Sequence, residues 1–189
     1  MIARNGGGGD LESTLLGPVI PGRACGGCTA CCTVLDVDTP DFGKPAGVPC
    51  VHLTAQGCGI HAVRPPICRT WFCGWRRVAA LPEEARPDRS GLLVSINYVR
   101  APQNVLEAVA INVRLLPGSD AIASGMAAAV LDRLCTGLVP VWFSDGEKKL
   151  LMHPDAEVAH LVLSGAPAPP HLRAEVDAWR DAYRAFAPA

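Results

Sequence analysis

Nine cysteines are spread unevenly over this 189-residue chain: eight lie between Cys25 and Cys73, and only Cys135 lies elsewhere. That density constrains the fold more than any other feature, because the same stretch is a poor builder of hydrophobic core. From Cys25 to about Arg77 neither a helical nor a strand period shows. The run is broken by Gly26-Gly27, Pro40, Gly43, Pro45, Gly47, Pro49, Gly57, Gly59 and Pro65-Pro66. A segment of this size that buries little apolar area needs disulfides or a bound metal to hold a shape. The first residues, MIARNGGGGDLEST, put four glycines and two acids where a secretory signal would place its apolar stretch. The expected compartment is therefore the cytoplasm, where thiols stay reduced and clustered cysteines read as metal ligands rather than as a disulfide framework.

The spacing sharpens this expectation. Cys25-Gly-Gly-Cys28-Thr-Ala-Cys31-Cys32 is C-x2-C-x2-C-C. Two cysteines separated by two residues can bend around one ion through a tight turn, and four thiolates close a tetrahedral zinc site. Three such cysteines on one loop are also the tripod that holds a four-iron cluster in bacterial ferredoxins. A ferredoxin would place its next cysteine at position 35, which is leucine here, so a ferredoxin fold is disfavoured. Neighbouring side chains diverge, so Cys31 and Cys32 serve two centres, or a ligand and its surroundings, more easily than one ion. Cys50, Cys58, Cys68 and Cys73 contain no second C-x2-C, unlike a zinc ribbon. Eight cysteines satisfy two four-thiolate sites, or one site with spare thiols, and the sequence leaves that partition open.

Charge points the same way. Between Phe42 and Pro82 there is no Asp or Glu, while Lys44, Arg64, Arg69, Arg76 and Arg77 are all basic. Thiolates supply a counter-charge for such a stretch, since four of them around one zinc carry a formal charge of about −2. Arg64 and Arg69, which bracket Cys68, are expected to donate toward sulfur. Arg76 and Arg77 are read equally well as facing water. Trp71, Phe72 and Trp75 are expected to shield the site.

These residues resemble the CxxCxxCC cysteine-cluster family, the YkgJ-like proteins described as zinc- or iron-chelating. The resemblance rests on four ordered motifs: Cys25-x2-Cys28-x2-Cys31-Cys32, Cys50-Val-His-Leu53, Gly57-Cys58-Gly-Ile60-His61, and Arg64-Pro65-Pro66-Ile67-Cys68-Arg69. It covers about residues 25–73. It implies chelation by the seven motif cysteines, and a related segment in flagellin lysine methylases resembles an iron–sulfur-binding element. His61 stands where the family has tyrosine, and Cys73 lies outside the seven. The chain therefore offers a candidate nitrogen ligand and an eighth sulfur. The candidate metal set is Cys25, Cys28, Cys31, Cys32, Cys50, Cys58, Cys68 and Cys73, with His52 and His61 as secondary candidates.

The rest of the chain reads as ordinary globular sequence. Residues 90–99 have the β-branched and aromatic content of a strand. Residues 103–116 place Val105, Leu106, Val109, Val113 and Leu116 on one helical face, and 120–135 read as an Ala-rich helix followed by Gly137. Residues 139–144 and 147–153 around Asp145-Gly146 predict a hairpin with a type I′ turn. Helices are expected over 155–163 and 170–186, the last with Leu172, Val176, Trp179, Tyr183 and Phe186 facing a core. The expected architecture is α+β: a flexible tail over 1–24, an irregular metal-stabilised cysteine-rich module over 25–77, and a domain over 78–189 in which helices cover a small antiparallel sheet.

The formal net charge of −1 gives no whole-protein argument for nucleic acid or an anionic membrane. The uncharged run Val158–Leu172 is 15 residues long and carries three prolines, short of the about 20 apolar residues a bilayer span needs. No phosphate-binding loop, dinucleotide fingerprint, nucleophile elbow or paired-carboxylate motif is present, and no catalytic residue is assigned. Asp36, Asp38 and Asp41 alternate as in a calcium loop but lack its glycine and terminal glutamate. His153, His160 and His171 read as surface or hydrogen-bonded histidines, and Cys135 as a small buried hydrophobe. The favoured function is metal chelation through an iron–sulfur cluster or zinc, with iron–sulfur preferred for the three-cysteine loop. A zinc-stapled module binding protein or nucleic acid through residues 64–77 is the alternative, and a redox or radical enzyme component the third. An enzyme is disfavoured, as are nucleic-acid and membrane partners.

Overall fold

The structure, a computed structural model, describes residues 8–99 and 101–186. In chain order it contains α1 (Gly8–Leu16), α2 (Ala30–Val34), β1 (Val37–Thr39), β2 (Phe42–Lys44), β3 (Leu53–Thr54), β4 (Gly57–Cys58), α3 (Pro66–Thr70) and α4 (Pro87–Ser90). These are followed by β5 (Leu92–Tyr98), α5 (Val105–Ala108), β6 (Val109–Leu115), α6 (Met126–Leu134), β7 (Val141–Ser144), β8 (Lys149–His153), α7 (Ala156–Ser164) and α8 (Arg173–Tyr183). The protein is α+β, as its sequence predicts. The principal sheet runs β5-β6-β7-β8. It is mixed rather than purely antiparallel: β5 pairs antiparallel with β6 and β7 with β8, but β6 and β7 are parallel. Parallel neighbours need a crossover, and α6 supplies it.

Several expectations are corrected. The helix predicted over 103–116 is a single turn, α5, running straight into strand β6. Asn104 caps that turn by accepting from Leu106 N at 3.0 Å. From there Val109, Ile111 and Val113 recur at every second residue and are buried, and their β-branched side chains favour the pleated strand over a helix. The Ala-rich helix begins at Met126 rather than Asp120, because Gly125 takes a left-handed φ of +78° at its N-cap. The hairpin forms, but its turn is not type I′. Only Gly146 has a positive φ, +99°, while the Asp145 carboxylate accepts from Glu147 N at 2.9 Å and Lys148 N at 2.7 Å. Helices α7 and α8 and strand β5 fall where their patterns place them.

Two cores flank the sheet. One gathers Leu92, Leu93, Val94, Ile111, Val113 and Val141 with Val130 and Leu134 of α6. The other packs Val158 and Leu161 of α7 against Val176, Trp179 and Tyr183 of α8, with Trp142 and Leu151 resting on it. Tyr183 Oη donates to Val109 O at 3.1 Å, tying α8 to β6.

The first core also receives Ala30, Val34, Cys73 and Trp75, so the cysteine-rich stretch is docked on the sheet. Its irregularity is broken by α2, α3 and two small hairpins, β1-β2 and β3-β4. The expected tail does not hold from α1 onward. Leu16 is 5% exposed, and buried Arg77 pairs with Glu12 at 3.4 Å and donates to Gly17 O at 3.1 Å. Residues 1–7 of that tail lie outside the described residues. Gly74 permits a close approach between stretch and sheet, because a Cβ there would overlap Val94 Cγ1 and lie 2.7 Å from its Cβ. Gly74→Ala is accordingly expected to cost about 1–3 kcal/mol in denaturant unfolding by overpacking, and to cost less in a Val94→Ala background. Equal cost in both backgrounds would clear the contact of blame.

Candidate metal centre

The cysteines are delivered one after another by short, locally determined elements. Cys28 N donates to Cys25 O at 3.0 Å, closing a turn in which Gly26 takes a φ of +55°. The chain then winds into α2, which carries Cys31 and Cys32. Cys50 is tied back to this helix by donating from its backbone N to Cys32 O at 2.9 Å. The β3-β4 hairpin sets Cys58 opposite Leu53, and Gly59 N donates to His52 O at 2.8 Å. Pro66 opens α3, a position where the missing N–H costs nothing, and that turn presents Cys68. Cys73 precedes the 3₁₀ turn Gly74–Arg76.

All eight line one cavity of about 460 Å³. His52, His61, Lys44, Asp36, Arg64, Arg76, Trp71 and Phe72 line it too, and Pro87 and Leu93 contribute from beyond residue 77. Cys135 is outside this cavity, half-buried against the sheet core. All nine cysteines are free thiols.

Donors converge on the sulfurs. His52 N donates to Cys50 Sγ at 3.5 Å, and Arg76 Nη1 to Cys25 Sγ at 3.7 Å. The amides of Ala30 and Asp88 point at the Cys28 sulfur, and those of Arg76 and Trp75 at the Cys73 sulfur. Such hydrogen bonds favour thiolate over thiol. Burial works against them, raising Cys28 and Cys68 and pushing Cys73 up to about 11. Cys31 and Cys32 share a hydrogen bond between their sulfurs, which raises Cys31 and lowers Cys32 to about 7. Thiols that range from exposed at Cys25 and Cys68 to buried at Cys73, with N–H groups directed at several of them, match the needs of a bound cation, which takes sulfur as thiolate. By donor chemistry, the residues fit a thiolate-bound metal. Among the described residues no group of three or more His, Cys, Asp or Glu side chains is gathered as a single-ion site. The sulfurs stand around a cavity instead.

The basic residues divide in a way the sequence does not show. Arg64 Nε donates to Cys68 O at 3.0 Å and its Nη1 to His61 O at 2.7 Å, and Arg69 Nε donates to Arg64 O at 2.8 Å. Both arginines brace the backbone around Cys68, so the expected donation to sulfur is not seen for them. Arg76 does reach sulfur and lies over Phe72 at 4.8 Å. Arg77 is turned away, toward Glu12. Trp75 is a core residue rather than a shield, while Trp71 and Phe72 face the cavity. His61 Nδ1 lies 3.3 Å from Arg64 Nη1, and His52 stacks on Phe42 at 6.0 Å. His153 is hydrogen-bonded as expected, its Nε2 2.8 Å from Gly137 O.

Three residues at the site go unread in the sequence. Lys44 is 6% exposed, with Nζ donating to Val48 O at 2.6 Å and Pro45 O at 3.2 Å. Burial lowers its pKa, and the nearby Cys50 and Cys32 sulfurs oppose that. Only its place in an acid-free run hints at this. Asp88 comes from outside the cysteine-rich stretch and pairs with Arg86 at 2.6 Å. Arg23 lies 5.4 Å over the Trp75 ring and donates to the carbonyls of Trp75, Val78 and Leu81, the last two at 3.0 and 2.5 Å. Searches of family models, curated proteins and solved structures find no match to this chain.

Arg23 clamps the loop entering Cys25 onto the turn leaving Cys73. Arg23→Met should lower unfolding free energy by about 2–3 kcal/mol, because three carbonyls lose a charged donor. Arg23→Lys, with one ammonium in place of a planar fork, should fall between it and the parent. A urea midpoint unchanged in Arg23→Met would show that the clamp carries no load.

Proposed function

We propose that this chain is a metal-chelating protein in which Cys25, Cys28, Cys31, Cys32, Cys50, Cys58, Cys68 and Cys73 hold an iron–sulfur cluster or zinc. The carrying observation is that eight cysteines, spread over residues 25–73, all line a single cavity. The motif order resembling the CxxCxxCC family supports the same reading. Iron–sulfur is preferred. Cys25, Cys28 and Cys31 on one loop match the three-cysteine tripod that holds three corners of a four-iron cluster. Such a group would supply electron storage or transfer, and zinc would supply structure alone.

An interaction module acting through residues 64–77 is less well supported. Arg77 is buried against Glu12 and Arg76 is turned to the Cys25 sulfur, so of the four arginines only Arg69 is exposed and the basic stretch does not form a patch. Among the described residues no helix is long and apolar enough to cross a membrane. A cytoplasmic setting, where thiols remain reduced, is part of the proposal.

Protein purified anaerobically and aerobically tests this directly. Iron with acid-labile sulfide and a brown colour that bleaches in air is the expected result, and stoichiometric zinc in a colourless protein would select the structural ion. A folded chain carrying neither metal would overturn the reading. Cys135→Ser should leave metal content unchanged and cost at most about 1 kcal/mol, since the hydroxyl would be only half-buried.

A second expectation concerns folding. Residues 35–72 contain no buried apolar side chain; Lys44 and Gly57 alone are buried there. Removing the metal should therefore raise hydrogen exchange across 35–72 while β5 to β8 stay protected. Equal protection of both regions with and without metal would count against it.

A further inference from the structure

Resting on the metal-chelating reading above, we propose that the eight cysteines form two adjacent four-thiolate centres: Cys25, Cys28, Cys31 and Cys73 in one, Cys32, Cys50, Cys58 and Cys68 in the other. Helix α2 is the divider. Consecutive residues on a helix point about 100° apart, so Cys31 and Cys32 head toward different partners. The two residues are consecutive on α2, which makes the two centres close neighbours.

The backbone sorts the remaining six. Cys25 and Cys28 share one turn, and Arg76 connects that turn to Cys73: its side chain reaches Cys25 Sγ, and its amide donates to Cys73 O at 2.9 Å. On the other side, Cys50 is bonded to the Cys32 carbonyl, and Leu53, paired with Cys58, donates to Cys50 O at 3.0 Å. Arg64 joins Cys68 to that side: its Nε donates to Cys68 O at 3.0 Å and its Nη1 to His61 O at 2.7 Å, three residues after Cys58. Each group also has its own arginine, Arg76 on Cys25 Sγ in the first and Arg64 on Cys68 O in the second. Four thiolates complete either a zinc tetrahedron or a cubane. The seven motif cysteines cannot fill two such sets. Cys73 completes the first.

Metal and sulfide per chain, measured on anaerobically purified protein, test the division. Cys73→Ala and Cys58→Ala should each lose one centre and retain the other, roughly a twofold fall, and the double variant should lose both. Circular dichroism of the β5 to β8 sheet reports whether each variant is folded. A folded single variant that loses all its metal, or none, overturns the proposal. A second measurement needs no variant: the wild-type protein is titrated with chelator, and newly reactive cysteines are alkylated and located by mass spectrometry. Cys25, Cys28, Cys31 and Cys73 should become reactive as one set, and Cys32, Cys50, Cys58 and Cys68 as another. Sets of mixed membership, or release of all eight together, overturn it. Wild-type protein without metal would instead defeat the chelation reading on which the division stands.

Discussion

Between Leu35 and Phe72 the chain buries no apolar side chain, and the whole molecule is arranged around that deficit. Ordering a residue's backbone costs about 1–2 kcal/mol, and the two hairpins here, three and two residue pairs long, recover little of it. A hairpin of this size is not stable alone in water. The sulfurs are what the segment holds in common, since its loops lead from Cys32 to Cys50, Cys58 and Cys68 and back into the same cavity. Thiolate–metal bonds are strong enough to replace a core of this size, and small cysteine-rich domains fold on that basis.

The sheet makes the rest possible by offering a finished surface. Strand β5 is buried along most of its length, with one core shared by α6 and another by α7 and α8. Against it sit Trp75 and the Cβ-free edge of Gly74. Arg23 and Arg77, by their contacts with the turn after Cys73 and with α1, fix both ends of the cysteine-rich stretch. Ala30 and Val34 then bring α2 onto the same core, so the helix that carries Cys31 and Cys32 is anchored on its apolar side. Rigid support thus enters the site from the domain that contains none of the eight thiols.

How far the sequence could be read follows from what kind of signal each part carries. Helix α8 has a clear period, strand β5 has β-branched and aromatic content, and both, with α7, were legible. Residues 103–116 were not, because Val105, Leu106, Val109, Val113 and Leu116 fit a helical stripe while Val109, Ile111 and Val113 fit a strand, and pairing with β5 and β7 decided the matter. The eight cysteines were legible from density and spacing alone. Their support was not: Asp88 and Pro87 approach from outside the cysteine-rich stretch, and Lys44 is an ordinary surface residue in any composition count. The turn at Asp145-Gly146 shows the same limit locally, since the carboxylate captures two amides and replaces the backbone conformation that the dipeptide favours.

Charge links the local geometry back to the composition. Five basic residues and no acid lie between Phe42 and Pro82, and Arg77 is neutralised by Glu12, so 5 − 1 = 4 positive charges remain. In the proposed metal-bound state two four-thiolate centres, at about −2 each, would carry the opposite sign to those four, as does Asp36, which also lines the cavity. The placement fits a balance made at short range: Arg76 touches a sulfur, Lys44 is buried among sulfurs, and Arg64 lies beside Cys68. In a partly buried site an unpaired charge costs several kcal/mol. Lys44, almost fully out of water and held by two carbonyls, has the Asp36 carboxylate and the Cys50 and Cys32 sulfurs in its surroundings. In the proposed metal-bound state the thiolates of Cys50 and Cys32 would join Asp36 as the counter-charge that makes its burial intelligible. The acid-free stretch is then the complement of the cysteines: a carboxylate placed there would compete with thiolates for the same cations.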